Sequence, residues 1–108
     1  MPMVIREAKL RDLKKTFQWA NDKDVIRNSL NRNSKVNKSE HLRWFKNYLK
    51  AKKKMIFIGI VNRKPVGMVR LDYTKMRIFI SYLIDTKSRK KGLGFEMLKS
   101  VVDNIKRK

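Results

Sequence analysis

A chain of 108 residues that is 42% hydrophobic and 9% aromatic is long enough for one buried core and too short for two. It holds no cysteine and one histidine, which excludes disulfides, thiolate nucleophiles, cysteine zinc sites and multi-histidine metal centres. No apolar run approaches the roughly 18 residues of a membrane span and no signal-like segment opens the chain, so a cytoplasmic protein without membrane attachment is expected.

The formal net charge is +20, with 19 Lys against 10 Arg. Such a charge draws in polyphosphate ligands. The basic residues run along the whole chain, however, and are not gathered into one arm. That pattern reads as compositional bias on a solvated surface, and no nucleic-acid partner is expected.

"MVIREA" (3–8) predicts a short strand. "LRDLKKTFQWAND" follows with Leu10, Leu13, Phe17 and Ala20 at helical spacing, ends on Asn-Asp, and leads to a short helical turn at Asp24–Leu30. "NRNSKVNKSE" is polar and reads as a loop. Asn37 caps a second long helix, about Lys38–Ala51, with Glu40 completing a capping box. This helix presents Leu42, Phe45 and Leu49, with Trp44 and Tyr48 on a neighbouring stripe.

"MIFIGIV" and "PVGMVRLDY" flank the turn Asn62-Arg63-Lys64 and predict a hairpin. "MRIFISYLID" is apolar on both faces, as a central strand would be. A last helix is expected over Gly92–Lys106, with Phe95, Leu98, Val101, Val102 and Ile105 toward the core. The order is β-α-α-β-β-β-α, an α/β (α+β) arrangement in one domain over 1–108.

The stretch "SRKKGLGFEMLKS" (88–100) sits between the last strand and the last helix. First-turn N–H groups of a helix lack internal partners and carry partial positive charge, so an anion is their natural occupant. Gly92 and Gly94 let a ligand approach the backbone, and Arg89, Lys90 and Lys91 add attraction. Taken alone, the glycine pair fits a loop requirement equally well. No Gly-Lys-Ser/Thr follows, as a Walker A loop needs, and there is no third glycine of a dinucleotide fingerprint.

Arg89-Lys90-Lys91-Gly92-Leu93-Gly94 resembles the Arg/Gln-x-x-Gly-x-Gly/Ala signature of the GNAT family of N-acetyltransferases, and the element order is similar to that family's. The resemblance implies the acyl-CoA N-acyltransferase fold, a mixed, mostly antiparallel sheet flanked by helices. It implies acetyl-CoA as cofactor, with its pyrophosphate on Arg89–Phe95 and its pantetheine arm along the backbone of Tyr82, Leu83 and Ile84. An N–H near Leu83 or Ile84 would hold the oxyanion.

"WANDKDVIRNS" (19–29), "SEHLRWF" (39–45) and "PVGMVRLDY" (65–73) resemble the acetyltransferases that modify UDP-linked 4-amino sugars in pseudaminic-acid biosynthesis. The first element also occurs in ribosomal-protein N-terminal acetyltransferases. A nucleotide-linked amino sugar is therefore the expected acceptor. A protein N-terminus is the alternative, and a non-catalytic acetyl-CoA-binding remnant is a further one.

Trp19 leaves the Leu13, Phe17, Ala20 stripe, so its ring either stacks on an acceptor or fills a cluster under the loop. Asn21, Asp22 and Arg27 suit hydroxyls and phosphate, although Asn21 and Asp22 also end helices well. Arg70 and Asp72 share one strand face. They either orient the amine or form a cross-strand ion pair. His41 can cluster with Trp44 and Phe45 as a packing residue, or bind substrate. Amine attack on a thioester needs a base. Asp72 is the first candidate, with Asp85 and Glu40 behind it.

The resemblance also implies a departure. The family's fifth strand and later elements have no counterpart here, nor does the tyrosine that often serves as its general acid. Either a second copy or a separate C-terminal piece is then expected to cover the exposed strand edge, giving a homodimer or a completed domain.

Overall fold

The structure, a computed structural model, describes residues 3–23, 26, 36–89 and 92–107. Arg27, Lys90 and Lys91 lie outside the described residues, as does most of the expected Asp24–Leu30 turn. Four strands pair in the order β1 (Val4–Glu7), β2 (Lys54–Val61), β3 (Lys64–Tyr73) and β4 (Ile78–Ile84), each antiparallel to its neighbour. Helices α1 (Leu13–Ala20) and α2 (Lys38–Lys50) cover one face, and α3 (Leu93–Lys106) covers the other.

Because both faces are covered, β2 and β3 are apolar on alternate sides. Ile56, Ile58 and Met68 pack with Ala8, Trp19, Phe45 and Tyr48 under α1 and α2. Phe57, Val69 and Leu71 pack with Met97 and Val101 under α3. The hairpin turn is shorter than expected, only Asn62-Arg63. Both residues have positive φ, 52° and 66°, which gives a primed turn whose twist suits the strands.

The phase of α1 differs from the sequence expectation. Leu10–Asp12 is a 3-10 turn, locked by two 2.8 Å hydrogen bonds from Arg6 to Asp12 and a third from the Lys9 N–H. Three residues at 3.0 per turn rotate the helix face by about 60° relative to α geometry. Asp12, Thr16 and Trp19 therefore face inward, and Leu10 is 51% exposed.

On α2 the buried stripe is His41, Phe45 and Tyr48, while Leu49 is exposed. Phe95, expected in the core, is 74% exposed; Met97 takes its place. The strand expected at the centre of the sheet, β4, is its edge, and Ile78, Phe79, Ile80 and Tyr82 are all exposed.

Candidate active site

The end of β4 and the start of α3 enclose an open pocket of about 260 Å³, lined by Tyr82, Ile84, Ser88, Arg89, Gly92, Leu93 and Gly94. Gly92 caps α3 in the left-handed region, φ 73°, which a side chain would strain. A Cβ on Gly94 would stand 3.1 Å from Cε2 of Tyr82, so glycine lets the helix start lie against the strand. The helix's first bond runs from Glu96 N–H to Gly92 O, 3.4 Å, placing the N–H groups of Leu93, Gly94 and Phe95 in the orphan turn. That turn favours an anion.

The strand edge beside the pocket has a defined polarity. Asp85 N–H donates to Val66 O over 2.7 Å, and antiparallel pairs alternate between bonded and non-bonded. Leu83, opposite Met68, therefore spends its N–H and C=O on β3, contrary to the role expected of its backbone. Tyr82 and Ile84, opposite Val69 and Gly67, turn theirs to the open side. The Ile84 carbonyl accepts from Nε of Arg89, 2.9 Å.

Arg89 also lies 3.6 Å from Asp22, whose other oxygen accepts from the Thr86 hydroxyl. This pair ties the basic loop to the end of α1. Asp85 anchors the same loop by accepting from the Trp19 indole at 2.8 Å and the Lys87 N–H at 3.0 Å, with Lys15 at 3.3 Å. Burial pushes the Asp85 carboxyl up, but those hydrogen bonds and the Lys15 charge outweigh it and hold the pKa below the usual value. Those donors tie the Asp85 carboxylate into the loop, where it acts as a strut.

A second group gathers where α2 crosses β2 and β3. The Tyr48 hydroxyl donates to both oxygens of Asp72, at 2.7 and 2.8 Å. Burial and the Asp72 bond push the Tyr48 phenol up to about 12, so it stays protonated. Lys54, opposite Asp72 in register, places Nζ 3.9 Å from its carboxylate and 5.0 Å over the Tyr48 ring. Arg70 lies 5.6 Å over Trp44, which packs 4.9 Å from Tyr48. Arg70 and Asp72 thus share a face, as expected. Each turns to an aromatic ring on α2.

The other expected residues are elsewhere. Trp19 is buried in the core, not turned to a cleft. Asn21 bonds to Val36, with its amide donating to Val36 O at 3.0 Å and its carbonyl accepting from Val36 N–H at 2.8 Å. Glu40 is exposed in the first turn of α2, where its N–H bonds to the Asn37 cap at 2.8 Å.

His41 is 4% exposed, and its Nε2 is 2.9 Å from Oγ1 of Thr16. That hydroxyl also lies 2.9 Å from Asp12 O, so Thr16 links the His41 ring to the turn before α1. The ring stacks on Trp44 and Phe45 at 5.5 and 5.9 Å. Tyr48, Lys54 and Trp44 were not read as site residues. The only signal for them was the polar pair Arg70 and Asp72 on a face that α2 had to cover.

The sequence model of the acetyltransferase (GNAT) domain family matches residues 3–108. No curated protein matches the chain. Aminoglycoside acetyltransferase AAC(6')-Ib, solved with ribostamycin and coenzyme A, superposes with a TM-score of 0.84 at 14% identity, over 99% of this chain and 68% of that one. A GNAT family acetyltransferase of Staphylococcus aureus gives 0.73 at 18% identity, over 99% of this chain and 80% of that one. A domain from Methanocaldococcus jannaschii gives 0.84 at 18% identity, over 98% and 71%. At such identities the likeness is one of fold.

Proposed function

Because the chain belongs to the GNAT acetyltransferase family, we propose that it transfers the acetyl group of acetyl-CoA to a primary amine carried by a nucleotide-linked amino sugar. The observation that carries the first half is the pocket at Gly92–Gly94 beside an open strand edge. Its residues fit the cofactor. A first helical turn free for phosphate oxygens lies next to Tyr82 and Ile84, whose backbone groups can pair with an amide-bearing arm. When bound there, acetyl-CoA supplies the activated acyl group.

The chain's own residues do the rest. Leu93, Gly94 and Phe95 N–H groups hold the anion, and Arg89 completes the rim. The outward N–H of Ile84 is the backbone donor available for a developing oxyanion. Asp72, its carboxylate fixed by Tyr48, holds the acceptor amine near the strand edge and takes its proton, through water where the reach is long. Arg70, charged and stacked on Trp44, meets the acceptor's phosphate.

The nucleotide-sugar half rests on the resemblance of 39–45 and 65–73, which form the α2 and β3 sides of this group. The strong positive charge suits an anionic acceptor. A thiol-release assay over UDP-4-amino sugars and ribosomal-protein N-terminal peptides tests it. Turnover of the sugars is the expected result, and turnover of peptides alone overturns the acceptor.

In this reading the chain does not work alone, and a second copy or a separate C-terminal piece covers the edge of β4. Ile78, Phe79 and Ile80 expose apolar side chains along an edge that is unpaired among the described residues, and such an edge recruits another chain. Salt screens the self-repulsion beyond roughly 8–10 Å. Light scattering over a salt series tests this, and a monomer throughout contradicts it.

A further inference from the structure

The outer edge of β4 divides into two halves. Phe79, Ser81 and Leu83 spend their N–H and C=O on β3, so Ile78, Ile80, Tyr82 and Ile84 turn theirs outward. Among the described residues, β3 is the only strand that pairs with β4. Tyr82 and Ile84 line the cofactor pocket. Ile78 and Ile80 lie outside it, and with Phe79 between them they are 42%, 43% and 53% exposed. No charged residue falls within β4, although the chain holds 29 basic and 9 acidic residues. Charges on an edge strand guard it against pairing, and this strand has none.

The half at Ile78 and Ile80 is complementary to itself. In an antiparallel pair, outward residues must face outward residues, and a two-fold axis gives both copies the same contacts. Any axis from Ile80 toward Ile84 would spend outward groups of Tyr82 or Ile84, which the cofactor reading reserves for the pantetheine arm. An axis at Ile78 would draw in Met76, whose N–H already bonds Oγ1 of Thr74 at 3.3 Å. The axis at Phe79 uses Ile78 and Ile80 and leaves the rest of the edge open. The chain turns back toward β3 over 74–77, where the Thr74 N–H donates to Arg77 O at 2.8 Å, so each copy leaves the other's edge before Tyr82. We propose that a second copy of this chain pairs antiparallel with β4, Ile78 facing Ile80 of the partner subunit and Phe79 facing the partner's Phe79. The four-stranded sheet of one copy then runs on into that of the other.

The choice of register rests on the cofactor reading, whereas the pairing itself rests on the edge. Phe79 stands opposite Asp72, on the sheet face where Asp72 meets Tyr48. Facing Cα atoms lie about 4.5 Å apart at non-bonded positions and about 5.5 Å apart at bonded ones. Asp72, Phe79, the partner's Phe79 and the partner's Asp72 therefore form one row, with the two outer Cα atoms about 15 Å apart. The partner's ring covers Phe79, so residues of both copies wall the β4 side of the Asp72 group. The charge of +20 on each copy opposes association, and salt screens it beyond roughly 8–10 Å. Association should tighten as salt rises.

A chain without cysteine lets single introduced cysteines report the register. Phe79→Cys should form an intermolecular disulfide under mild oxidation, because facing Cα atoms at that position fall within the disulfide range of about 4.4–6.8 Å. Ser81→Cys faces itself only with the axis at Ser81, and the exposed Leu10→Cys reports chance collision; both should cross-link far less. Ile80→Pro removes an outward N–H and no bond to β3, and should weaken association by about tenfold or more in sedimentation, with circular dichroism reporting the fold. Should Ile80→Pro fail to fold, the three cysteine variants decide alone. Equal cross-linking at all three positions, preference for Ser81, or none anywhere overturns the proposal. Acetyl-CoA calorimetry on the reduced and the cross-linked Phe79→Cys chain separates the two readings, and binding to both is expected. Binding to the reduced form alone overturns the register. Binding to neither, with the Phe79 cross-link formed, overturns the cofactor reading and upholds the pairing.

Discussion

The indole N–H of Trp19 donates to Oδ2 of Asp85 over 2.8 Å and so joins α1 to the residue that follows β4. The pair is separated by 66 positions in sequence, yet it sets where the basic loop leaves the sheet. Asp22 repeats the device one turn on, through Thr86 and Arg89. The loop that leads to the pocket is therefore tied down from the α1 side.

Asp85→Ala should cost about 1–3 kcal/mol, since the Trp19 N–H would lose its partner in a buried setting. Urea denaturation measures this. Trp19→Phe in the same background should add little further loss of hydrogen bonding, and fully additive effects would contradict the link.

Acid sensitivity follows from the same carboxylate. Asp85 and Asp12 both have pKa values held below the ordinary range. At each, burial raises the value and is outweighed, by the Trp19 and Lys15 contacts at one and by Arg6 and the Lys9 N–H at the other. Their folded-state values are depressed, so their contribution is complete above about pH 4 and is lost as pH falls through the lowered values. Thermal melts between pH 2 and 6 should show an acid limb that is shallower in Asp12→Asn and Asp85→Asn. An unchanged limb would count against both ties.

Tyr48 gives the mirror case. Its phenol is raised to about 12 by burial first and by the Asp72 bond second. Stability from this shift is present below about pH 10 and is lost as pH rises toward the folded value. Ultraviolet titration should show one of the three tyrosines ionising last, and Tyr48→Phe should remove that component.

Much of the frame was legible because it depends on local chemistry. The Asn37 cap, the hairpin, the strand alternation and the glycine-marked start of α3 can each be read from a few neighbouring residues. What escaped depends on distant partners. Thr16 and Tyr48 are polar, so periodicity counts them as surface. They are buried because His41 and Asp72 satisfy them across elements. The 3-10 turn that re-phased α1 was hidden for the same reason, since it depends on Arg6 reaching Asp12 from β1. The apolar pattern of β4 told the composition of the strand and nothing of its place in the sheet.

Thr16→Val tests that satisfaction directly. It removes the hydroxyl that bonds His41 Nε2 while keeping the volume, and should cost about 1–3 kcal/mol. His41→Phe in the Thr16→Val background should recover part of the loss, because an apolar pair leaves no orphaned polar atom. No recovery would mean that the ring is held by other contacts.

Isothermal calorimetry of acetyl-CoA with the wild-type chain, Gly92→Asp and Gly94→Asp bears most directly on the central claim. A carboxylate and a Cβ placed at the first turn of α3 would meet the bound phosphates, and at Gly94 the Tyr82 ring as well. The account predicts saturable, salt-sensitive binding by the wild type and near-complete loss in both variants, with the fold retained. Undiminished affinity in the two variants, or no binding by the wild type, would contradict it.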